Sequence, residues 1–367
     1  MMLRSLILCT AVLSGNVAAA APDSGGKLTL VKGQAFTTAA GGSEAKAAQG
    51  DSVAPGTKIR TGKDGLVEVT FTDGSLLKIQ AGSSLVLSGA KRQKKKNVVV
   101  LFFGRVWSKV TKSGGETNYE INTPNAVCGV RGTEFDTVVA DDGSARVRVT
   151  SGTVGVAGDG SGERAVGANQ QVDADDDGVE PPANAEEQAK WDAWQKSKQE
   201  RLNKDSRVVV DRVKGKIMSR KDKIEGLRAE QKSIEAKRKG AEGRAQDGDS
   251  SAVVEIRQYN QRLAEIADLI ADLGDQTASQ FGIVDHFADL AGDPRFKNID
   301  RKYLEAEAAS LRRVKATLDK LVTEGTDISI EGMDKMLKDM SGGKRGSLKD
   351  KDSAGDDLFG KDPMDMK

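Results

Sequence analysis

One acidic run in this sequence has the spacing of a metal-binding loop. Asp173, Asp175 and Asp177 alternate with other residues and precede Gly178, which matches the first half of a calcium loop, D-x-D-x-D-G. Carboxylates at alternate positions can converge on one hard cation, and the glycine permits a sharp turn. The position that such a loop completes with glutamate holds Asn184. Because short acidic linkers share this pattern, calcium and a plain polar linker both stay open, and we assign no residue to a metal or cofactor site.

The residues that could serve as a nucleophile and its base are few. Cys9 falls in the N-terminal leader described below, so Cys128 is the cysteine left for chemistry, and His286 is the only histidine. A cysteine nucleophile needs a neighbouring base, and no local signature joins these two residues. The motifs H-E-x-x-H and G-x-S-x-G and the P-loop do not occur. We therefore predict that the protein is not an enzyme and has no catalytic residues.

One arginine stands in a frame of glycines. Arg131 lies between Gly129 and Gly132, which suit tight backbone features or the close approach of another strand. The structural interpretation of Arg131 is an ion pair with Glu134, Asp136 or a distant carboxylate. The functional interpretation is contact with a ligand.

Two further features have both a structural and a binding interpretation. The basic run at residues 91–96, K-R-Q-K-K-K, lies between two strand-like segments. It is typical of a solvated hairpin loop, and it could also form a patch for an anionic polymer or lipid headgroups. Trp191 and Trp194 stand three residues apart at the head of a helical segment. They either dock that helix onto a neighbouring element or stack on a sugar.

Residues 22–180 have the pattern of short strands. Apolar residues alternate with polar ones between glycine turns such as 64–65, 73–74 and 142–143, each of which is Asp-Gly. This spacing predicts an all-β domain that is a sandwich, a barrel or a short β-solenoid, and it does not choose among them. The strand-like runs centre on residues 67–71, 77–79, 85–87, 98–103, 106–110, 145–149 and 154–156.

From residue 185 the composition changes to that of helices. Lys, Glu, Gln, Arg and Ala dominate, and apolar residues follow a spacing of three and four. Two seams result, the first with Arg220 and Gln231 as polar interruptions. The first seam contains Val210, Val213, Ile217, Ile224, Leu227 and Ile234, and the second contains Ile256, Tyr259, Leu263, Ile266, Ile270 and Leu273.

The glycine-containing stretch 240–250 separates the two seams and predicts a break between two helices. The seams therefore predict an antiparallel helical hairpin, although a dimeric coiled coil would use the same residues. A further amphipathic helix is expected at 300–323, and a short one near 330–340. Residues 341–367 are rich in Gly, Lys, Asp and Ser and are expected to be disordered.

The N-terminus has the features of a secretory signal peptide. Arg4 provides the charged start, residues 6–13 the apolar stretch, and residues 18–20 a small-residue cleavage site. Losing Arg4 with this leader leaves 55 basic against 55 acidic residues, which argues against a nucleic-acid binder. No other long apolar run occurs, so we expect a periplasmic or secreted protein without a transmembrane span. The predicted division is a leader at 1–20, a β domain at 21–178, a linker at 179–185, a helical domain at 186–340 and a tail at 341–367.

The β part of the sequence resembles the FecR domain, a module of the bacterial envelope. Residues 123–135, T-P-N-A-V-C-G-V-R-G-T-E-F, are similar to the signature of that family, with Cys128 where another small residue is usual. The resemblance covers roughly residues 27–175. The other blocks that carry it are residues 50–62, 67–75, 147–154 and 169–172.

The resemblance implies a place in the envelope more than a chemistry. FecR-family regulators relay the state of an outer-membrane receptor to a sigma factor, and they combine a cytoplasmic segment, one membrane span and the FecR domain. This sequence shows neither of the first two parts, so direct control of a sigma factor is not expected. We expect a non-enzymatic exported protein for protein–protein interaction or envelope scaffolding. A soluble sensor component of envelope signalling is the alternative, and a cell-wall hydrolase built on a carboxylate pair is the second alternative.

The expected partners follow from the same features. An envelope protein or a cell-surface polymer would bind the β module, and the helical seams could join copies of the chain into a homo-oligomer.

Overall fold

The computed structural model describes residues 25–89, 97–112, 119–159, 161–186 and 188–342. The expected leader, the basic run at 91–96 and residues 343–367 of the expected tail lie outside these ranges. Strands occupy the first half of the described chain and three long helices the second, which confirms the predicted order of a β domain followed by a helical domain.

The bounds of the elements are as follows. The strands are β1 (Gly26–Lys32), β2 (Ala35–Thr38), β3 (Glu44–Lys46), β4 (Ser52–Val53), β5 (Lys58–Thr61), β6 (Leu66–Phe71), β7 (Leu76–Ile79), β8 (Ser84–Leu87), β9 (Asn97–Lys109), β10 (Tyr119–Asn122), β11 (Val127–Val130), β12 (Glu134–Val139), β13 (Ala145–Ser151), β14 (Thr153–Ala157), β15 (Arg164–Gly167), β16 (Gln170–Asp175), β17 (Gly178–Val179) and β18 (Ala183–Asn184). The helices are α1 (Gln188–Gln246), α2 (Ser250–Leu290) and α3 (Arg301–Gly342).

The strands form two sheets that meet in β9. The first sheet has the order β4-β1-β6-β7-β9-β12-β13-β16, with β17 and β18 paired to β16. The second has the order β3-β2-β5-β8-β9-β10-β11-β14-β15. All pairs are antiparallel except β9 with β10. Among the described strands no pairing joins the ends of the sheets, so they do not close into a barrel.

Strand β9 passes from one sheet to the other at a glycine. Its first half pairs with β8 and β10, and its second half, from Gly104 onward, pairs with β7 and β12. Gly104 has a φ of +98°, and a Cβ at this position would lie 2.4 Å from Ser83 Oγ. Only glycine combines that backbone conformation with so close an approach, so this residue permits the bend that links the sheets.

Both sheets direct apolar side chains into one core. In β6, for example, Val67, Val69 and Phe71 are at most 4% exposed, and the residues between them are partly exposed. The same alternation in the other strands brings residues of both sheets into a single apolar cluster. This burial is the main stabilising contribution within the β domain.

Strand β9 is also buried on its outer face. Val99 and Leu101 belong to the core, whereas Val98, Val100 and Phe102 form a separate cluster on the other side of the strand. Helix α2 covers this outer face. At the contact, a Cβ on Gly282 would lie 2.2 Å from Phe102 Cγ, so the helix backbone lies directly against the aromatic ring.

The three helices pack as a bundle. Helices α1 and α2 form the predicted hairpin, and α3 lies against both. Ion pairs between Lys214 and Glu307 at 2.8 Å, and between Arg228 and Glu324 at 3.1 Å, show that α3 runs parallel to α1. None of the described helices contains the long apolar stretch that a membrane crossing would require.

The bundle buries the central residues of both predicted seams within one chain. Val213, Ile217 and Ile224 of the first seam and Ile266 and Ile270 of the second are at most 2% exposed. Because these residues are covered by α2 and α3 of the same chain, the seams need no second copy.

Two expected helix boundaries were wrong. Helix α1 continues through Gly240 and Gly243 to Gln246, and the break is limited to residues 247–249, where Asp249 caps α2. A helix tolerates a glycine at a cost of about 1 kcal/mol, which the packing of the bundle outweighs. The short helix expected near 330–340 is the continuation of α3.

The contact between α2 and β9 makes a testable prediction. Replacing Gly282 by alanine should destabilise the protein by about 1–3 kcal/mol, because the new methyl group overlaps Phe102. Gly226→Ala in α1 is the matched control, since no atom lies within 4 Å of a Cβ there, and it should stabilise the helix by about 0.5–1 kcal/mol. Urea unfolding measures both effects, and a shift of both variants in the same direction would contradict the described packing.

Candidate functional site

The first residues of the signature form a tight turn between β10 and β11. The Thr123 N–H donates to the Ala126 carbonyl at 2.8 Å, and Thr123 Oγ1 accepts from the Ala126 N–H at 2.9 Å. Pro124 ends the strand, as its fixed φ predicts. The Asn125 amide donates to the Gly143 carbonyl at 2.8 Å, which ties this turn to the turn between β12 and β13.

The signature turn lies against the helices. Lys216 of α1 donates to Asn125 Oδ1 at 2.6 Å, and Gln280 of α2 donates to the Pro124 carbonyl at 3.2 Å. A third contact joins Ser88, just after β8, to the Asp275 carboxylate of α2 at 2.7 and 2.8 Å. The sheets and the bundle are therefore joined at the start of the signature, and we call this region the junction.

The carboxylates of the acidic run lie against basic residues. Asp173 lies in β16 and accepts two hydrogen bonds from Arg146, at 2.6 and 2.7 Å. Asp175 lies 3.6 Å from Lys198, and Asp177 lies 3.5 Å from Arg212. These carboxylates point to separate cations on β13 and α1 instead of converging on one point. In the described part of the chain, no three His, Cys, Asp or Glu side chains are grouped to hold a metal.

Arg201 of α1 bridges two buried carboxylates. Its Nη1 lies 2.9 Å from Asp142 and its Nη2 lies 2.6 Å from Asp176, whose side chains are 0% and 2% exposed. Burial raises the pKa of Asp142, and hydrogen bonds from Ser144 with the positive charges of Lys198 and Arg201 act against that rise. Arg201 is therefore one of the groups that favour the ionised form of Asp142, together with Ser144 and Lys198.

The two tryptophans dock α1 onto the β domain. Trp191 is 1% exposed and donates from Nε1 to Gln171 Oε1 at 3.2 Å. Trp194 packs with Trp191 against Val138 and Ala140, and the Arg146 guanidinium lies 4.7 Å from the centre of its ring. The docking interpretation is confirmed, and neither ring is exposed for stacking on a sugar.

The candidate nucleophile and base occupy different environments. Cys128 lies in the apolar core of the sheets, where burial raises the pKa of its thiol to about 12. His286 lies at the junction, where its Nε2 is 2.9 Å from Asp141 and its ring stacks on Phe103. A protonated thiol in a dry core is a poor nucleophile, so this pair offers no catalytic site.

The expected ion pair of Arg131 is not found. Arg131 is exposed and forms no ion pair or hydrogen bond with any described residue. Asp136, one of its expected partners, pairs with Arg105 at 2.9 Å instead. The neighbouring Gly132 has a φ of +63°, and a Cβ there would lie 2.1 Å from Lys112 Cγ. Glycine is therefore required at this position by the backbone conformation and by the close approach of Lys112.

Two adjoining clefts open at the junction. The first has a volume of about 210 Å³ and is lined by Thr123, Asn125 and Ala126 of the signature turn, together with Asp159 and Arg220. The second has a volume of about 430 Å³ and lies between α1 and the turns that carry the acidic residues. Both clefts share Asp159 and Arg220, so this ion pair stands between them.

Arg220 was missed as a site residue, although the sequence contained a signal for it. It interrupts the apolar seam, where a charged side chain is costly unless it meets a partner. The partner is Asp159, whose two oxygens lie 2.7 and 2.9 Å from Arg220 Nη2. No such signal marked Lys216 or Arg201, because neither residue interrupts the apolar seam.

The bridge formed by Arg201 predicts a loss of stability that depends on pH. Arg201→Ala should cost about 2–3 kcal/mol at neutral pH, because the buried Asp142 loses its hydrogen-bonded cation and the buried Asp176 keeps only the longer contact with Arg212. The folded-state pKa of Asp142 would then rise further above its unfolded value. Since the folded state would bind this proton more tightly, the deficit should shrink as pH falls from about 7 to about 4.

Urea unfolding over this pH range tests the bridge. Arg207→Ala is the control on the same helix, because Arg207 pairs with Asp300 on the exposed surface and its loss should matter much less. A deficit for Arg201→Ala that equals the control, or that grows in acid, would contradict the bridge.

Cys128 gives a second prediction. In the chain without residues 1–20, its thiol should not react with a thiol reagent at about pH 8, because it is buried and protonated. The same chain unfolded in urea should react fully and serves as the control. Rapid labelling of the folded protein would show that the core around β11 opens to solvent.

Comparisons with known proteins agree with the signature. Residues 57–155 match the family model described as FecR protein. Two crystal structures described as a "putative anti-sigma factor" from Parabacteroides distasonis are also similar. One is 19% identical over 35% of this chain and 60% of that chain, the other 21% identical over 37% and 63%, and both have a TM-score of 0.31. The chain thus spans less than two thirds of their length, and the superposition is partial.

No curated protein matches the chain. The family match begins in the turn before β5 and ends within β14, so it contains the signature turn and most of both sheets. The β domain of this chain is therefore similar to the FecR family over residues 57–155, which confirms the resemblance predicted from residues 123–135.

Proposed function

We propose that this chain is a non-enzymatic protein of the bacterial envelope, in which a FecR-like β domain and a helical bundle form one body that binds another envelope component. The observation that carries the proposal is the junction. Helices α1 and α2 are anchored on the signature turn and on the outer face of β9, so the bundle is an integral part of the FecR-like module.

The proposed organisation follows the sequence. A leader at 1–20 would direct export, the β domain would span 21–178, a linker 179–185 and the helical domain 186–340, with a tail at 341–367. The linker contains β18, which pairs with β16, so this segment is attached to the first sheet. Location in the periplasm or outside the cell depends on that leader, and it is supported by the similarity to an envelope family.

The bundle has the dimensions of a projecting arm. Beyond the irregular residue Asp205, α1 runs to Gln246, which is about 60 Å of helix at 1.5 Å per residue. A compact domain of the size of this β domain is only roughly 40 Å across. The far end of the hairpin therefore extends past the sheets, and it presents a surface of mixed charge with Val253 and Val254 half exposed. An arm of this kind suits a scaffold that holds a partner at a distance from the β domain.

The absence of enzymatic activity rests on the state of the candidate groups. The clefts at the junction contain carboxylates, but Asp159 pairs with Arg220 and Asp176 with Arg201 and Arg212. Carboxylates held by arginines in this way are accounted for as structural ion pairs, which supports the proposal of a non-enzymatic role.

A sensor in envelope signalling is the second candidate. It is supported by the match of residues 57–155 to the FecR family, whose members act in such signalling. In this role the arm would transmit contact with a receptor to a regulator, and the chain would need both partners at once.

The oligomeric state tests whether the helical bundle closes within one chain. Light scattering coupled to size exclusion on the chain without residues 1–20 should give the mass of one chain at all concentrations, because the helical seams close internally. A stable dimer would contradict a self-contained bundle.

Cross-linking in cells tests the function. With a photoreactive residue at Val254 on the arm, we expect capture of an envelope protein or polymer that depends on the leader. The same residue at Gly226, an exposed position nearer the middle of α1, is the control. Joint capture of an outer-membrane receptor and a regulator would favour the sensor instead, and cytoplasmic partners alone would overturn both roles.

A further inference from the structure

The two clefts at the junction contain buried positive charge. Arg220 is 94% buried as a residue and forms part of the wall of both clefts. Lys216 lines the larger cleft, and only 15% of its side chain is exposed. A buried and a partly buried cation on one helix face, four residues apart, are uncommon unless they serve a negatively charged group.

Protein partners satisfy these cations only in part. Arg220 donates hydrogen bonds from Nη2 to the Asp159 carboxylate, but its Nη1 is buried and forms no hydrogen bond with any described residue. Lys216 lies 3.8 Å from the same Asp159 carboxylate and donates to the neutral Asn125 amide. The partly exposed carboxylate of Asp159 therefore serves both cations. An unmade hydrogen bond of a buried charged group is expensive, which favours an additional acceptor.

The electrostatic balance of these residues supports the same conclusion. Burial lowers the pKa of Arg220, against the attraction of Asp159. Burial also lowers the pKa of Lys216, against the attraction of Asp159 and Asp176. In both cases the loss of hydration outweighs the nearby negative charge, so a further negative charge would be stabilised here.

Another cation stands exposed at the edge of the larger cleft. Lys223 lines this cleft, is exposed, and forms no ion pair with a described residue. It follows Arg220 by three residues, so both lie on the same face of α1. By contrast, Gln231, the other polar residue of the seam, donates to the Gly325 carbonyl and accepts from Arg228 inside the bundle. Arg228 Nε and Arg238 Nε are also buried without a hydrogen bond to a described residue, but neither arginine lines the junction clefts, whereas Arg220 lines both.

We propose that the junction clefts bind an oxyanion, the carboxylate or phosphate group of a small ligand or chain end, which is held by Arg220, a residue of both clefts, and attracted by Lys223 at the edge of the larger one. Binding would require the guanidinium group to turn so that the buried Nη1 faces the ligand while Nη2 stays with Asp159. A guanidinium provides two parallel donors that suit such groups. The smaller cleft, at about 210 Å³, exceeds the ~30 Å³ of a water molecule several times and has room for the group.

The position of the clefts gives this binding a structural consequence. The smaller cleft is lined by Thr123, Asn125 and Ala126, the beginning of the FecR-like signature, and by Arg220 of α1. A bound oxyanion would contact both the β domain and the bundle. It would therefore stabilise the junction and raise the unfolding temperature.

Titration with inorganic phosphate and with succinate tests the proposal, with sodium chloride at equal ionic strength as the reference. Backbone amide signals of Ala126, Val127 and Gly158, which line the smaller cleft, report binding by NMR. We expect a saturable shift of these signals with at least one probe. Response to phosphate alone or to succinate alone would identify the source of the oxyanion.

Variants of α1 distinguish a specific site from general charge. Lys223→Ala should weaken binding of the probe about threefold to fivefold, and Arg220→Lys about tenfold or more, because lysine lacks the guanidinium fork. Lys239→Ala, an exposed lysine on the same helix beyond the clefts, should leave the affinity unchanged. If Arg220→Lys does not fold, Lys223→Ala and its control still decide the question. No saturable shift with either probe, or equal weakening by Lys223→Ala and Lys239→Ala, would overturn the site.

Discussion

The structure depends on one requirement, which is that the outer face of β9 must be covered. Among the described strands, β9 is the only one that pairs with neighbours in both sheets. Its first half is apolar on both sides. One side faces the shared core, and the other would expose Val98, Val100 and Phe102 to water if the β domain stood alone. Helix α2 removes that surface from solvent, and the other contacts of the junction hold the helix in place.

The junction combines two kinds of interaction that act differently. Trp191 and Trp194 at one end and Phe102 against Gly282 at the other bury apolar surface, which supplies most of the stabilisation. Between them, polar contacts such as Arg201 with Asp142 fix the orientation of α1 relative to the sheets. Buried ion pairs add little net stability but are costly to break, so they act mainly to define one arrangement. For this reason the β domain and the bundle are best regarded as one unit.

The sequence predicted what depends on local pattern. Alternation identified the strands, a spacing of three and four identified the helical hairpin, and the pair Trp191 and Trp194 was correctly expected to dock a helix. The run at 98–103 carried more information than alternation alone uses, since six consecutive apolar residues indicate a strand buried on both faces. A strand buried on both faces predicts that another element covers its outer face, as α2 does.

The contacts of the candidate site could not be predicted in the same way. Arg201 and Asp142 are 59 residues apart in sequence, and Lys216 and Asn125 are 91 apart, so no spacing rule connects them. The same limit applies to Arg131, for which Asp136 was one of the suggested partners, whereas Asp136 pairs with Arg105. The acidic run suggested calcium because its pattern was considered without α1, which brings the cations that its carboxylates meet.

The central claim is that sheets and bundle unfold as one cooperative unit. Urea unfolding followed by two probes tests it most directly, with helix content from circular dichroism and tryptophan fluorescence from Trp107 in β9 and the two tryptophans at the junction. If the sheets and the bundle unfold together, both probes should show a single transition with the same midpoint. Two separate transitions would contradict this claim. In that case the tryptophan signal would change at one urea concentration and the helix signal at another, which would show that the two domains unfold independently.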